Sequence, residues 1–207
     1  MSQEASEAQR HLILVKHSAP VVAIDLPPAQ WVLATPGRIR CAALAQRLAG
    51  YNIAAIAASD EPKARETAEL LAAGLAFSDP LRLDHELREH ERSVADFYPA
   101  QGDFERAIRA LFARPNEFVF GQETADAARA RFAAAVGRHL TATPSGDLIV
   151  VAHGTVITLF VAAHVDIAPF AFWQRLDLPS FVVLTVPDLR LLETVTKIGD
   201  EIGNAEL

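Results

Sequence analysis

Apolar residues gather in short runs that alternate with longer amphipathic stretches. HLILVK (His11 to Lys16) is rich in branched apolar residues and ends at a polar cluster, the pattern of a buried strand. Thr35-Pro36-Gly37 supplies a cap residue and a proline suited to a helix start, and apolar positions recur from there to Leu48, ahead of Gly50. Ile53 to Ala58 reads as a second strand. Ser59 or Asp60 can cap the helix after it, which carries Ala64, Ala68 and Leu71 and ends near Gly74. From about Phe77 to Gly121 the periodicity weakens, with Pro80, Pro99 and Pro115 breaking the chain around one helix near Phe104 to Phe112. Regular pattern then resumes. Glu123 to Leu140 is an Ala-rich helix, Asp147 to Ala152 a strand, and Val156 to His164 a helical or buried run. Ser180 to Val186 and Leu191 to Thr196 flank Pro187-Asp188, which predicts two strands joined by a turn.

Strands alternating with helices predict an α/β fold whose mostly parallel sheet is covered on both faces. No repeat or low-complexity linker divides the 207 residues, so residues 11–207 are expected to form a single domain behind a polar tail of residues 1–10. That tail has no apolar core of the kind a secretory signal needs, and no apolar run approaches the roughly 20 residues that span a bilayer. A cytoplasmic protein without a membrane partner is therefore expected. The formal charge of -7 leaves no basic face for a nucleic-acid backbone. Cys41 is the single cysteine and can form neither an internal disulfide nor a cysteine zinc cluster.

In such sheets ligands gather beyond the carboxyl ends of strands, where loops from separate units converge. LILVKHS places His17 just past the first strand and LIVVAHG places His153 just past a later one, so two imidazoles are expected to meet there. Other histidines read as packing or surface residues. His85 and His90 are five apart, which misses the spacing that puts two zinc ligands on one helical face, and His139 and His164 lie in apolar helical patterns. Trp31 and Trp173 fit core packing, with a pocket wall as the alternative. Glycine motifs of the P-loop and dinucleotide types are absent.

Five blocks, in order, resemble the histidine phosphatase (phosphoglycerate mutase-like) superfamily. Lys16-His17-Ser18 matches that family's Arg-His-Gly, and Ala58-Ser59-Asp60-Glu61-Pro62-Lys63-Ala64-Arg65-Glu66-Thr67-Ala68 matches its Ser-Ser-x-x-x-Arg-Ala-x-x-Thr-Ala. Leu87-Arg88-Glu89 resembles its Leu-x-Glu segment. Gly121-Gln122-Glu123-Thr124, followed by Arg129, is similar to the Gly-Glu-Ser stretch that opens a family helix, and Val150-Val151-Ala152-His153-Gly154 to the block of the second histidine. The departures are Lys16, Ser18 and Lys63.

The resemblance implies a three-layer sandwich, a mostly parallel mixed sheet with helices on both faces. It also implies a metal-independent phosphatase that needs no cofactor and acts on a small phosphorylated metabolite. His17 would be the nucleophile, since a neutral imidazole can hold a phosphoryl group covalently near pH 7. His153 would contact the transferring oxygens, Lys16 and Lys63 would supply fixed positive charge, and Glu89 would donate the leaving-group proton. Ser18 would donate to phosphate or merely cap a turn. Lysine keeps an arginine's charge but lacks the planar fork that grips two oxygens, and each charge-assisted hydrogen bond is worth about 1.5–3 kcal/mol. A mutase using the same intermediate and a degenerate phospho-ligand-binding protein are the alternatives, and a module that serves only oligomerisation needs neither histidine. The irregular segment from Arg92 to Phe120 is expected to shape specificity. Neither the substrate nor the oligomeric state can be read from the sequence.

Overall fold

The computed structural model describes residues 9–92 and 100–199. A six-stranded mixed sheet runs in the order β3-β2-β4-β1-β5-β6. Its strands are β1 (Arg10–Lys16), β2 (Ile53–Ala58), β3 (Arg82–Leu83), β4 (Asp147–Ala152), β5 (Ser180–Val186) and β6 (Leu191–Val195). The pairs β1–β4, β2–β4 and β2–β3 are parallel, whereas β5 is antiparallel to both β1 and β6. Among the described residues six α-helices flank it: α1 (Thr35–Leu48), α2 (Pro62–Gly74), α3 (Gln101–Ala113), α4 (Ala125–Thr141), α5 (Gly154–Ala162) and α6 (Pro169–Arg175). None of the described helices is long and apolar enough to cross a membrane.

The period of two in each strand divides the interior into two cores. Ile13, Val15, Ile56, Ala58, Ile149 and Val151 point to the face covered by Leu44 and Leu48 of α1 and Ala68 and Leu71 of α2. Leu12, Leu14, Ala55, Ala57, Leu148 and Val150 point to the other, where Ile108, Leu111, Phe132 and Val156 cover them from α3, α4 and α5. Each fully buried Leu, Ile or Phe side chain stabilises the fold by about 1.5–3 kcal/mol. The result is the three-layer arrangement expected.

Several boundaries differ from those the sequence predicts. The expected polar tail falls mostly on residues 1–8, outside the described residues, while Arg10 opens β1 opposite Val186. Neither Thr35 nor Ser59 nor Asp60 caps a helix: Ala34 and Glu61 are the N-cap residues of α1 and α2, without a side-chain cap bond. A proline in each first turn fixes φ and removes one amide donor, so the cap is less needed. The α4 helix starts at Ala125, two residues later than expected, because the Thr124 hydroxyl caps it by accepting from the Ala127 amide at 3.1 Å.

Connection geometry creates the site. The chain leaves β1 for α1 on one face of the sheet and leaves the adjacent β4 for α5 on the other. A crevice therefore opens between their carboxyl ends, the switch point at which ligands bind in α/β sheets.

Candidate active site

His17 and His153 stand on the two sides of that crevice because Lys16 pairs with Ala152 across β1 and β4. The His17 amide donates to the Ala152 carbonyl at 3.0 Å, which extends the parallel ladder by one residue. Their rings meet edge to face with centroids 5.1 Å apart.

His17 Nδ1 lies 2.8 Å from the Ser18 carbonyl oxygen. A carbonyl can only accept, so Nδ1 carries the hydrogen, and in the neutral ring Nε2 holds the lone pair. Burial pushes the His17 pKa well below the usual imidazole value, reinforced by His153 and Lys63 nearby. Burial does the same to His153, with Lys63 adding to the depression and Glu89 opposing it. His153 is fully buried, and neither ring nitrogen has a hydrogen-bond partner among the described residues. Its Nε2 approaches Glu61 Oε1 at 3.5 Å without making a hydrogen bond. An unpartnered buried polar group is costly and points to a ligand that would satisfy it.

Two lysines flank the histidines. Lys16 Nζ donates to the Leu176 carbonyl at 2.6 Å, and burial lowers its pKa to about 8 against the opposing pull of Glu89 and Asp177. Gly154 makes room for it: a Cβ there would sit 3.1 Å from Lys16 Cε. Lys63, on the first turn of α2, is 5% exposed. Its Nζ donates to the Pro28 carbonyl at 2.8 Å and to the Glu61 carboxylate.

Glu89 is built as an acceptor. Its carboxylate takes the amides of His90 at 2.9 Å and of Thr155 and Val156 at 3.2 Å each, and pairs with Arg92 at 3.0 Å. Two of those amides belong to the first turn of α5, whose positive end favours an anion. Burial works to raise the Glu89 pKa, but Arg92, His153 and the amides outweigh it and hold the carboxyl at about 2. In the resting site Glu89 is therefore held as a carboxylate.

Arg131 of α4 fixes the loop that carries Glu89. It donates to the carbonyls of Glu86 at 2.8 Å, Arg88 at 3.0 Å and Glu89 at 3.1 Å, and pairs with Glu123. Arg129, the arginine singled out in the sequence, instead pairs with Asp126 at the surface. Gly121, at φ +76°, lets the chain pass within 2.4 Å of the Glu91 carbonyl, measured from the position a Cβ would take.

His17, His153, Lys16, Lys63 and Glu89 all line one cavity of about 450 Å³. Trp31 and Trp173 wall it, so both tryptophans serve the pocket. Ser18 does not line it. Its hydroxyl donates to the Gly37 carbonyl at 2.7 Å and its amide donates to Thr67 Oγ1 at 3.0 Å, so it ties the β1 loop to α1 and α2 rather than reaching toward a phosphate. Glu61 and Arg92 also line the cavity. Sequence pattern alone gives Glu61 no role, because residues two apart do not face each other on a helix and its pairing with Lys63 arises only at the N-cap position. His85, which pairs with Asp60, and His90 also line the cavity, while His139 packs on α4 against Asp84. Among the described residues no group of three or more His, Cys, Asp or Glu is placed to hold a metal ion.

The sheet order, the two helical layers and the paired histidines define an α/β protein of phosphoglycerate mutase-like architecture. Residues 27–192 match the histidine phosphatase superfamily (branch 1), and the chain belongs to that family. Among solved structures it is similar to mycobacterial hydrolase 2, with 21% identity, coverage of 92% of this chain and 93% of that one, and a TM-score of 0.72. A mycobacterial glucosyl-3-phosphoglycerate phosphatase aligns at 19% identity over 93% and 99% of the two chains, with a TM-score of 0.67. The phosphoglycerate mutase from Bacillus anthracis str. Sterne aligns at 16% identity over 93% and 95%, with a TM-score of 0.68. No curated protein sequence matches the chain.

Proposed function

We propose that this protein is a cytoplasmic, metal-independent phosphatase that cleaves a small phosphomonoester through a phosphohistidine on His17. The observation that carries the reading is the His17 ring itself: Nδ1 is committed to the Ser18 carbonyl, so the lone pair falls on Nε2, beside the His153 ring and two lysines that line the same cavity. Phosphoryl transfer asks a protein mainly to aim a nucleophile and neutralise the equatorial oxygens.

In the first step Nε2 attacks phosphorus, the N–P bond forms, and the P–O bond breaks with its electron pair leaving on the alcohol oxygen, which takes a proton from water. His153, unpartnered until then, meets a phosphoryl oxygen, and Lys16 supplies charge that water screens poorly in so buried a site. In the second step water attacks phosphorus, the N–P bond breaks with its electron pair returning to Nε2, and the water's oxygen and protons leave with inorganic phosphate. A structural neighbour, the glucosyl-3-phosphoglycerate phosphatase, has been solved with inorganic phosphate and with VO3, ligands of the kind this site would hold.

Phosphate release from a panel of small phosphomonoesters, measured in chelator, tests the reading. Native protein should release phosphate and His17→Ala should not. Release that survives in the variant, or that stops in chelator, contradicts it.

A further inference from the structure

Glu61 is a second buried carboxylate in the cavity, and the phosphatase chemistry above does not use it. Its side chain is 9% exposed. One oxygen accepts from Lys63 Nζ; the other accepts the Glu89 amide at 2.9 Å and faces His153 Nε2 at 3.5 Å. Its own amide donates to Ser59 Oγ at 3.2 Å, which fixes the residue at the N-cap of α2. The carboxylate thus holds Lys63 and stands against the unpartnered His153, the two groups that a phosphoryl oxygen would seek.

We infer that Glu61 is a specificity-determining residue, an anion built into the cavity that competes with a ligand's phosphoryl group for Lys63 and His153. The inference rests on the phosphatase reading and adds a substrate preference to it. A bare dianion such as inorganic phosphate meets like charge at Glu61 and gains little from Lys63. A phosphomonoester compensates through its alcohol part, which the site receives on an aromatic wall. Trp173 there is fixed by stacking on Phe170 at 6.0 Å and by edge contact with Phe104 at 5.7 Å, and Trp31 by donating its indole hydrogen to the Ala23 carbonyl at 2.9 Å. The substrate class that fits is a phosphomonoester whose alcohol portion is apolar or aromatic, with free phosphate bound weakly and released readily.

Glu61→Gln separates charge from geometry, since the amide oxygen can still accept the Glu89 amide. Titration calorimetry with inorganic phosphate should give at least about tenfold tighter binding in E61Q than in native protein. The gain should be smaller in E61Q combined with Lys63→Met, measured against Lys63→Met alone, because part of it acts through that lysine. Glu61→Ser carries the same test if the glutamine variant does not fold. Equal or weaker phosphate binding in the folded variant overturns the inference, as does a gain undiminished without Lys63. If that happens while His17-dependent phosphate release continues, the phosphatase reading stands and only the role of Glu61 falls. Absence of both phosphate binding and release, in native and variant protein alike, removes both.

Discussion

His17 and His153 meet edge to face, with ring centroids 5.1 Å apart, at the carboxyl ends of two adjacent parallel strands. Strand register alone brings them together: Lys16 and Ala152 are partners, and each histidine is the next residue. The connections then diverge to opposite faces, α1 to one and α5 to the other, which opens the crevice at the strand ends. One ring has its tautomer set by a backbone carbonyl and the other has both nitrogens free of hydrogen bonds among the described residues. That asymmetry suits a nucleophile and an oxygen-contacting partner.

Lys16 gives the site a basic limit. With its pKa lowered to about 8 by burial, its charge is present below that pH and is lost above it. KM for a phosphomonoester is therefore expected to rise above about pH 8, and Lys16→Arg should move that limb upward, because a guanidinium stays protonated. Folding stability runs the other way. Between about 8 and the ordinary 10.5 the unfolded chain holds this proton and the folded chain does not, so stability from this group rises with pH in that window. An unchanged pH profile in Lys16→Arg would take Lys16 out of the phosphate site.

Glu89 sets the dependence on leaving group. A carboxylate held at about 2 in the resting site by Arg92 and three amides is a poor acid for a departing alkoxide. Aryl phosphates, whose leaving oxygen needs little help, should exceed alkyl phosphates in the rate of phosphoenzyme formation, the step that expels the alcohol, by about 10²-fold or more, the size of acid assistance. Comparable rates of phosphoenzyme formation across a series of leaving groups would mean that Glu89 gains a proton when substrate binds.

Gly37 links the β1 loop to α1. A Cβ at this position would lie 2.2 Å from the Ala19 carbonyl oxygen, a backbone atom that cannot step aside, and the Gly37 carbonyl accepts the Ser18 hydroxyl. Gly37→Ala should destabilise the protein by about 1–3 kcal/mol in chemical denaturation. It should also lower kcat in the remaining folded fraction by shifting the loop that aims His17. Native stability and native kcat in that variant would contradict this coupling.

Much of this architecture is legible in the sequence. Apolar runs of strand length end in polar residues, and two end in histidine, which is enough to put His17 and His153 at the carboxyl edge of the sheet. The elements that escape sequence pattern are short: β3 has two residues and α6 has seven, too few for a period to register. Side-chain partnerships are harder to read. Ser18 has the chemistry to bind phosphate, but its hydroxyl is spent on Gly37, and the use of a hydroxyl depends on which acceptor the fold brings close. Glu61 and Lys63 pair only because α2 begins between them, at Pro62. Glu89 is marked by the Leu-x-Glu segment, but its partners, Arg92 and the first amides of α5, come from the fold and not from spacing. The expected specificity segment lies partly on residues 93–99, outside the described residues; of its described part, Arg92 and Phe104 line the cavity.

The most direct test is to trap the covalent intermediate. Native protein is mixed briefly with a labelled aryl phosphate, quenched in alkali, which preserves phosphohistidine, and mapped by mass spectrometry of its peptides. The account predicts label on His17, absent in His17→Ala and retained in Glu61→Gln. Turnover without label on His17, or label on His153 instead, would contradict it.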